Sequence, residues 1–203
     1  MFLFILLVSS SLVNAGFWDF ITGKATSETT TKYGWRSCET GTLYCGLGYS
    51  VFTMGYEFVP TQNVKVTELC GYYSGTLLVR LLSSTYQVLA QTQVTSSNSW
   101  VCSSITPVTI NSGSTYYVVA GMAGSTSCAR LVSLPKTCND VNIIETVYQT
   151  PAGSFDATHR KRSDVMYGMV DIVYTTEVGD TTPPVITLTS VGGATTSPYL
   201  TND

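Results

Sequence analysis

The sequence predicts an all-β protein, an antiparallel β-sandwich of about eight to ten strands stapled by disulfides. Three observations carry this. Strand-length segments recur at roughly ten-residue spacing with turn residues between them, the rhythm of a sandwich or barrel. Apolar and polar residues alternate along Tyr86-Gln87-Val88-Leu89-Ala90-Gln91-Thr92-Gln93-Val94, which puts Tyr86, Val88, Ala90, Thr92 and Val94 on one face and Gln87, Gln91 and Gln93 towards water. No segment sustains a helical period, and no internal repeat is visible.

Taken in order, residues 1–15 read MFLFILLVSSSLVNA. An apolar run followed by small polar residues and a Val-x-Ala end has the form of a secretory signal, without its basic start. The run is shorter than the roughly 20 apolar residues a membrane span needs. The expectation is a signal peptide or a retained apolar segment. Residues 16–32, GFWDFITGKATSETTTK, join an aromatic cluster to a Thr-rich tract and read as a linker, or as an anchor through Phe17, Trp18 and Phe20.

Residues 33–180 read as one β domain. Beside the alternating segment, strands are expected at 51–59, 64–73, 76–83, 99–105, 115–122, 142–149 and 165–175. Turn signals separate them at Gln62-Asn63, Ser74-Gly75, Ser84-Thr85, Ser97-Asn98 and Asn111-Ser112-Gly113. Beyond Asp180, the pair Pro183-Pro184 stiffens the chain and cannot join a central strand. Val185, Ile186, Thr187, Leu188 and Thr189 then make one strand's worth of β-branched sequence. A lone strand cannot bury its own face. It is either the start of a further immunoglobulin-like repeat in a longer surface protein or a donor strand that completes a neighbour's sheet.

Cysteines number 6: Cys38, Cys45, Cys70, Cys102, Cys128 and Cys138. An even count behind a signal argues for disulfides and a secreted protein. Local pairing is the expectation, with Cys38–Cys45 and Cys128–Cys138 stapling loops and Cys70–Cys102 tying two strands. A metal site is disfavoured, since there is no C-x-x-C and His159 stands apart from the cysteines in sequence.

Charged residues make up 11% of the chain and net charge is −3, which points away from nucleic acid. Solubility must rest on Ser and Thr, 54 of the 203 residues. Residues 55–121 hold four charges, Glu57, Lys65, Glu68 and Arg80, and no His. Acid–base chemistry needs paired carboxylates or a His with a partner, so the expectation is a protein that is not an enzyme. No nucleophile elbow, P-loop or dinucleotide fingerprint occurs.

The remaining candidates each have a plain alternative. Tyr72, Tyr73 and Trp100 are possible ligand aromatics for sugar stacking, against core packing. Neighbours such as Tyr72/Tyr73 and Tyr116/Tyr117 point to opposite faces of a strand, so at most one of each pair faces a ligand. The run His159-Arg160-Lys161-Arg162 reads as an acidic-surface binder or processing site, against a solvated loop. Asp156, Asp164 and Asp171, with the looser cluster Asn139-Asp140-Asn142, would be the donors for a structural calcium ion, against ordinary surface carboxylates. No other cofactor is expected.

Across residues 55–121 the chain resembles the prokaryotic domain-of-unknown-function family 4082. The residues that carry the resemblance are Gly55-Tyr56-Glu57-Phe58, Val64-Lys65-Val66-Thr67-Glu68-Leu69, Gly71-Tyr72-Tyr73, Gly75-Thr76, Val79-Arg80-Leu81, Val88-Leu89-Ala90, Trp100-Val101, Pro107-Val108 and Thr115-Tyr116-Tyr117-Val118-Val119-Ala120. The resemblance covers about a third of the chain, and its motifs are short and apolar. It implies a jelly-roll-type sandwich in secreted multidomain proteins and no catalytic residues. The start, through GFWDFITGKAT, is similar to that of secreted proteins of some small-genome archaea.

The functional expectation is a structural or adhesive cell-surface protein, a filament subunit joined to copies of itself, or to neighbouring domains, by β-strand exchange. The alternative is a carbohydrate-binding module of a larger secreted protein, with glycans as partners.

Overall fold

The computed structural model describes residues 28–48, 51–124, 126–167 and 169–178. They form a nearly all-β unit, Thr29–Val178. The strands are β1 (Glu28–Tyr33), β2 (Leu43–Leu47), β3 (Thr53–Pro60), β4 (Val64–Gly71), β5 (Tyr73–Ser83), β6 (Val88–Ser97), β7 (Val101–Ile110), β8 (Tyr116–Gly121), β9 (Thr126–Leu131), β10 (Lys136–Cys138), β11 (Val141–Gln149), β12 (Arg160–Arg162), β13 (Val165–Tyr167) and β14 (Val170–Val178). One 3-10 turn, Trp35–Cys38, follows β1. The linker expected over 16–32 therefore gives its last residues to β1.

Two antiparallel sheets result. A 4-stranded sheet runs β1-β14-β4-β7, and a 10-stranded sheet runs β10-β11-β3-β8-β5-β9-β13, with β12 on β11, β2 on β9 and β6 on β5. One apolar core takes residues from both sheets: Val64, Val66, Leu69, Ile172 and Tyr174 from the smaller, Tyr56, Phe58, Val79, Leu81, Val118 and Ile143 from the larger. Each such side chain removed from water contributes roughly 1.5–3 kcal/mol. A second, smaller cluster of Leu82, Tyr117, Val119 and Val147 lies apart from that core, with Tyr86 and Phe155 packed on it.

Two expected strands are broken where the chain changes sheets. The segment 64–73 ends β4 at Gly71 and starts β5 at Tyr73 in the other sheet. A Cβ on Gly71 would run into the ring of Tyr73. That ring is fully buried, and its hydroxyl donates to the Val94 carbonyl at 3.0 Å. The segment 165–175 splits likewise into β13 and β14, in different sheets. The two crossings lie side by side, joined by the Tyr72 amide donating to the Met169 carbonyl at 2.8 Å.

The alternation along β6 holds for Ala90, Thr92 and Val94, which are more buried than Gln91 and Gln93. It fails at its start. Tyr86 has φ 64 and sits in the β5–β6 turn, closed by its amide donating to the Ser83 carbonyl at 2.9 Å. It stacks on Tyr117 with ring centroids 5.4 Å apart. Val88, expected inward, is exposed. Tyr116 and Tyr117 both become buried, one in the main core and one in the smaller cluster.

The three disulfides are Cys38–Cys138, Cys45–Cys128 and Cys70–Cys102. Cys70 and Cys102 stand directly opposite on β4 and β7, as expected. The other two pairs correct the local pairing. β2 lies along β9 with Tyr44 opposite Ala129, which brings Cys45 beside Cys128. The 3-10 turn packs near β10, which brings Cys38 to Cys138 with Cα atoms 5.5 Å apart. Strand pairing between distant segments, rather than closeness in sequence, decides both.

Candidate functional site

The possible ligand aromatics separate. Tyr73 is 0% exposed and cannot touch a ligand. Tyr72 and Trp100 meet edge to face at 5.8 Å, half-buried against the main core, and the Trp100 Nε1 donates to Glu39 Oε2 at 3.4 Å. They make one braced pair rather than a platform. The segment with Val185, Ile186, Thr187, Leu188 and Thr189, and residues 1–15, lie outside the described residues.

The basic run is a strand, not a loop. β12 pairs with β11, with Arg160 opposite Tyr148, Lys161 opposite Val147 and Arg162 opposite Thr146. The sheet directs each side chain to a different neighbour. Lys161 Nζ lies 2.6 Å from Glu57 Oε2 and 3.4 Å from Glu145 Oε2. Arg162 pairs with Asp164 and donates to the Tyr167 hydroxyl at 3.2 Å. His159 stacks on Phe155 at 4.8 Å and faces Tyr86 and Tyr117 edge-on, with Nδ1 2.7 Å from the Asp156 carbonyl. The one His of the chain thus helps to hold the segment after Pro151 on the smaller aromatic cluster.

The carboxylates considered for calcium do not converge. Asp156 accepts from Thr158 and Gln149. Asp164 holds Arg162. Asp171 is buried in the core. Among the described residues no group of three or more His, Cys, Asp or Glu is placed to hold a metal ion.

Asp171, expected as a calcium donor or an ordinary surface carboxylate, is instead fully buried. Its Oδ1 accepts from the Trp35 amide at 2.8 Å, the Tyr56 hydroxyl at 2.7 Å and its neighbour Ile172's amide at 2.8 Å. Its Oδ2 accepts from the Arg36 amide at 2.8 Å. Burial nevertheless wins over these bonds and pushes the carboxyl up to about 6. Burial, and then the Asp171 charge, pushes the Tyr56 phenol well above its ordinary value, so it stays a donor. Gly34 permits the approach, since a Cβ there would lie 2.6 Å from Asp171 Oδ1. The carboxylate clamps the 3-10 turn to β14, which also positions Cys38 for its disulfide. It is sealed from solvent and has no access to a substrate.

The feature that stands out is an edge. β6 pairs on one side with β5, from Ser74 opposite Ser97 to Leu82 opposite Val88. Among the described residues no strand pairs its other side. Its ten residues, VLAQTQVTSS, contain no charge and no proline. Folded proteins blunt such edges with charge, proline, bulges or shortness; β6 has one register shift at Leu89 near its start, and the other edges show charge, proline or shortness. β7 carries Pro107, β1 carries Lys32, β2 is short, and β10, β12 and β13 have 3 residues each. β6 also exposes Val88 by 49% and Leu89 by 37%. The sequence places the alternating glutamines on a solvent face. That the strand is the last in its row is a property of sheet order, which no local pattern encodes.

Comparison with protein-family models and with curated protein sequences finds no match.

Proposed function

We propose that this chain is a non-catalytic structural or adhesive protein of the cell surface that assembles with copies of itself by β-strand addition. One observation carries the reading: β6 is a ten-residue, uncharged, proline-free strand whose second side pairs with no strand among the described residues. The backbone N–H and C=O groups that a strand presents along an unpaired side are a template for an added strand. The donor is the segment Val185, Ile186, Thr187, Leu188 and Thr189 of the next copy, whose β-branched residues favour the extended state. Because donor and acceptor are different surfaces, the contact is head-to-tail and generates a filament unless the rotation closes a ring. The three disulfides are compatible with an extracellular setting, and the low charge suits a protein packed against its own copies.

The test is electron microscopy and sedimentation of the full chain, of a chain lacking residues 185–203, and of the double variant Leu89→Lys/Gln93→Lys. Both positions are exposed, so the lysines leave the core untouched while charging the edge. Assembly by the full chain and its loss in both altered chains is the expected result. Filaments that persist with the lysines in place would show that β6 is not the acceptor. Filaments that persist without the tail would show that it is not the donor.

A further inference from the structure

The ten-stranded sheet carries a second feature, four strand positions from β6 and so roughly 20 Å away. A cleft of ≈ 310 Å³ opens between the end of β11, the start of β12 and the residue before β3, lined by Phe52, Tyr148, Gln149, Thr150, Thr158 and Arg160. Ligand pockets run from roughly 300 Å³ upward, so this one has room for a single ring.

Two braced aromatic rings stand in a lining that is otherwise polar. Phe52 and Tyr148 meet edge to face at 6.1 Å, and Tyr148 meets Tyr167 edge to face, also at 6.1 Å. Its rim is fixed before any ligand arrives. The Gln149 amide donates to Asp156 Oδ1 at 2.9 Å and Thr158 Oγ1 at 3.0 Å, and its oxygen accepts from the Asp156 amide at 2.8 Å. Both ends of that side chain are in use, so ligand binding pays little ordering entropy there.

Two polar groups are left over. Arg160 stands directly opposite Tyr148 in the β11–β12 register and therefore on the same face. Lys161 and Arg162 beside it are matched by Glu57, Glu145 and Asp164. Among the described residues Arg160 has no acidic partner. The Thr150 hydroxyl is likewise uncommitted, whereas Thr158 is spent on Asp156. An apolar ligand would cover the guanidinium without pairing it, which is unfavourable. A bare inorganic anion would leave both rings unused. A sugar ring with one apolar C–H face, hydroxyls at its edge and a carboxylate uses every group.

We propose that this cleft binds one hexuronate unit of an acidic polysaccharide. Arg160 holds the carboxylate through its two-pronged fork, Tyr148 and Phe52 carry the apolar face of the sugar, and the Thr150 hydroxyl bonds a ring hydroxyl. The site is separate from the β6 edge and does not depend on strand exchange.

The experiment is titration calorimetry of the full chain with a galacturonate trisaccharide, its neutral galactose counterpart and inorganic phosphate. The variants are Arg160→Gln, Arg160→Lys and Phe52→Leu. The uronate is expected to bind, with affinity falling roughly ten-fold or more in Arg160→Gln and less in Arg160→Lys, since lysine keeps the charge and loses the fork. Phe52→Leu weakens the uronate but not phosphate, and the neutral sugar binds less tightly than the uronate. Arg160 is exposed on β12, so an unchanged thermal melt shows that its variants stay folded. No heat with the uronate, or affinity unchanged in Arg160→Gln, overturns the proposal. Phosphate binding as tightly as the uronate with no effect of Phe52→Leu also overturns it, leaving a simple anion site.

Discussion

Replacing Asp171 with alanine is expected to cost about 3 kcal/mol at neutral pH. The carboxylate satisfies three buried donors, the Trp35 amide and the Tyr56 hydroxyl from elsewhere in the chain and the adjoining Ile172 amide. Each buried donor left without a partner costs about 1–3 kcal/mol. The Arg36 amide is only part-buried, so water takes over there at small cost. Removing a buried charge gives back part of its desolvation penalty, which brings the sum of about 4 down to about 3. Tyr56→Phe removes one donor and one bond and costs about 1 kcal/mol. In that background Asp171→Ala costs less, because one orphan is already gone. The readout is urea unfolding by tryptophan fluorescence with disulfides intact. pH supplies an internal check. The folded carboxyl titrates at about 6, above the unfolded value near 3.9. The group's stabilising effect is therefore complete below the unfolded value and lost as pH rises through about 6. The stability gap between the wild type and a non-titrating Asp171→Asn variant should widen by up to about 3 kcal/mol on going from pH 7 to pH 4. A loss under about 1 kcal/mol for Asp171→Ala, or a gap that narrows in acid, would refute the reasoning.

Other changes test the frame around this clamp. Non-reducing peptide mapping should recover Cys38–Cys138 and Cys45–Cys128, and finding Cys38–Cys45 instead would overturn the placement of β2. Opening Cys38–Cys138, which closes a sequence separation of 100, should cost about 5 kcal/mol, and opening Cys70–Cys102, with a separation of 32, about 4, by the loop-entropy relation. Equal or reversed costs would mean that native contacts rather than loop length dominate. Gly71→Ala should lose about 1–3 kcal/mol through overpacking against the Tyr73 ring, and a neutral result would show that the sheet crossing tolerates a side chain.

The interior strands were legible because their sequences obey a local rule. The β-branched and apolar segments at β3, β4, β8 and β11 each carry enough residues to show it. β1, β2, β9, β10 and β12 were missed, since short or polar segments such as ETTTKY, KTC and RKR owe their extended state to the strand beside them. Arg160-Lys161-Arg162 becomes a strand only because β11 offers it a ladder. Of the candidate residues, Tyr73 was lost to the core and Asp171 to the turn clamp. Arg160 was noticed in the sequence as one charge among three, and only the neutralisation of its neighbours singles it out.

By itself the sequence determined that this chain is antiparallel β and that its cysteines are built for pairing. Alternation, turn residues and composition act over a few positions and need no partner to be read. Only the tertiary structure decided which cysteines meet, where the chain crosses between sheets, which strand is left at the edge, and which of Arg160, Lys161 and Arg162 is left without an acid. Those depend on strand order and on contacts between residues up to 136 positions apart, as between Trp35 and Asp171. Backbone pairing is chemically alike for every strand, so the choice among partners rests on the packing of the whole core.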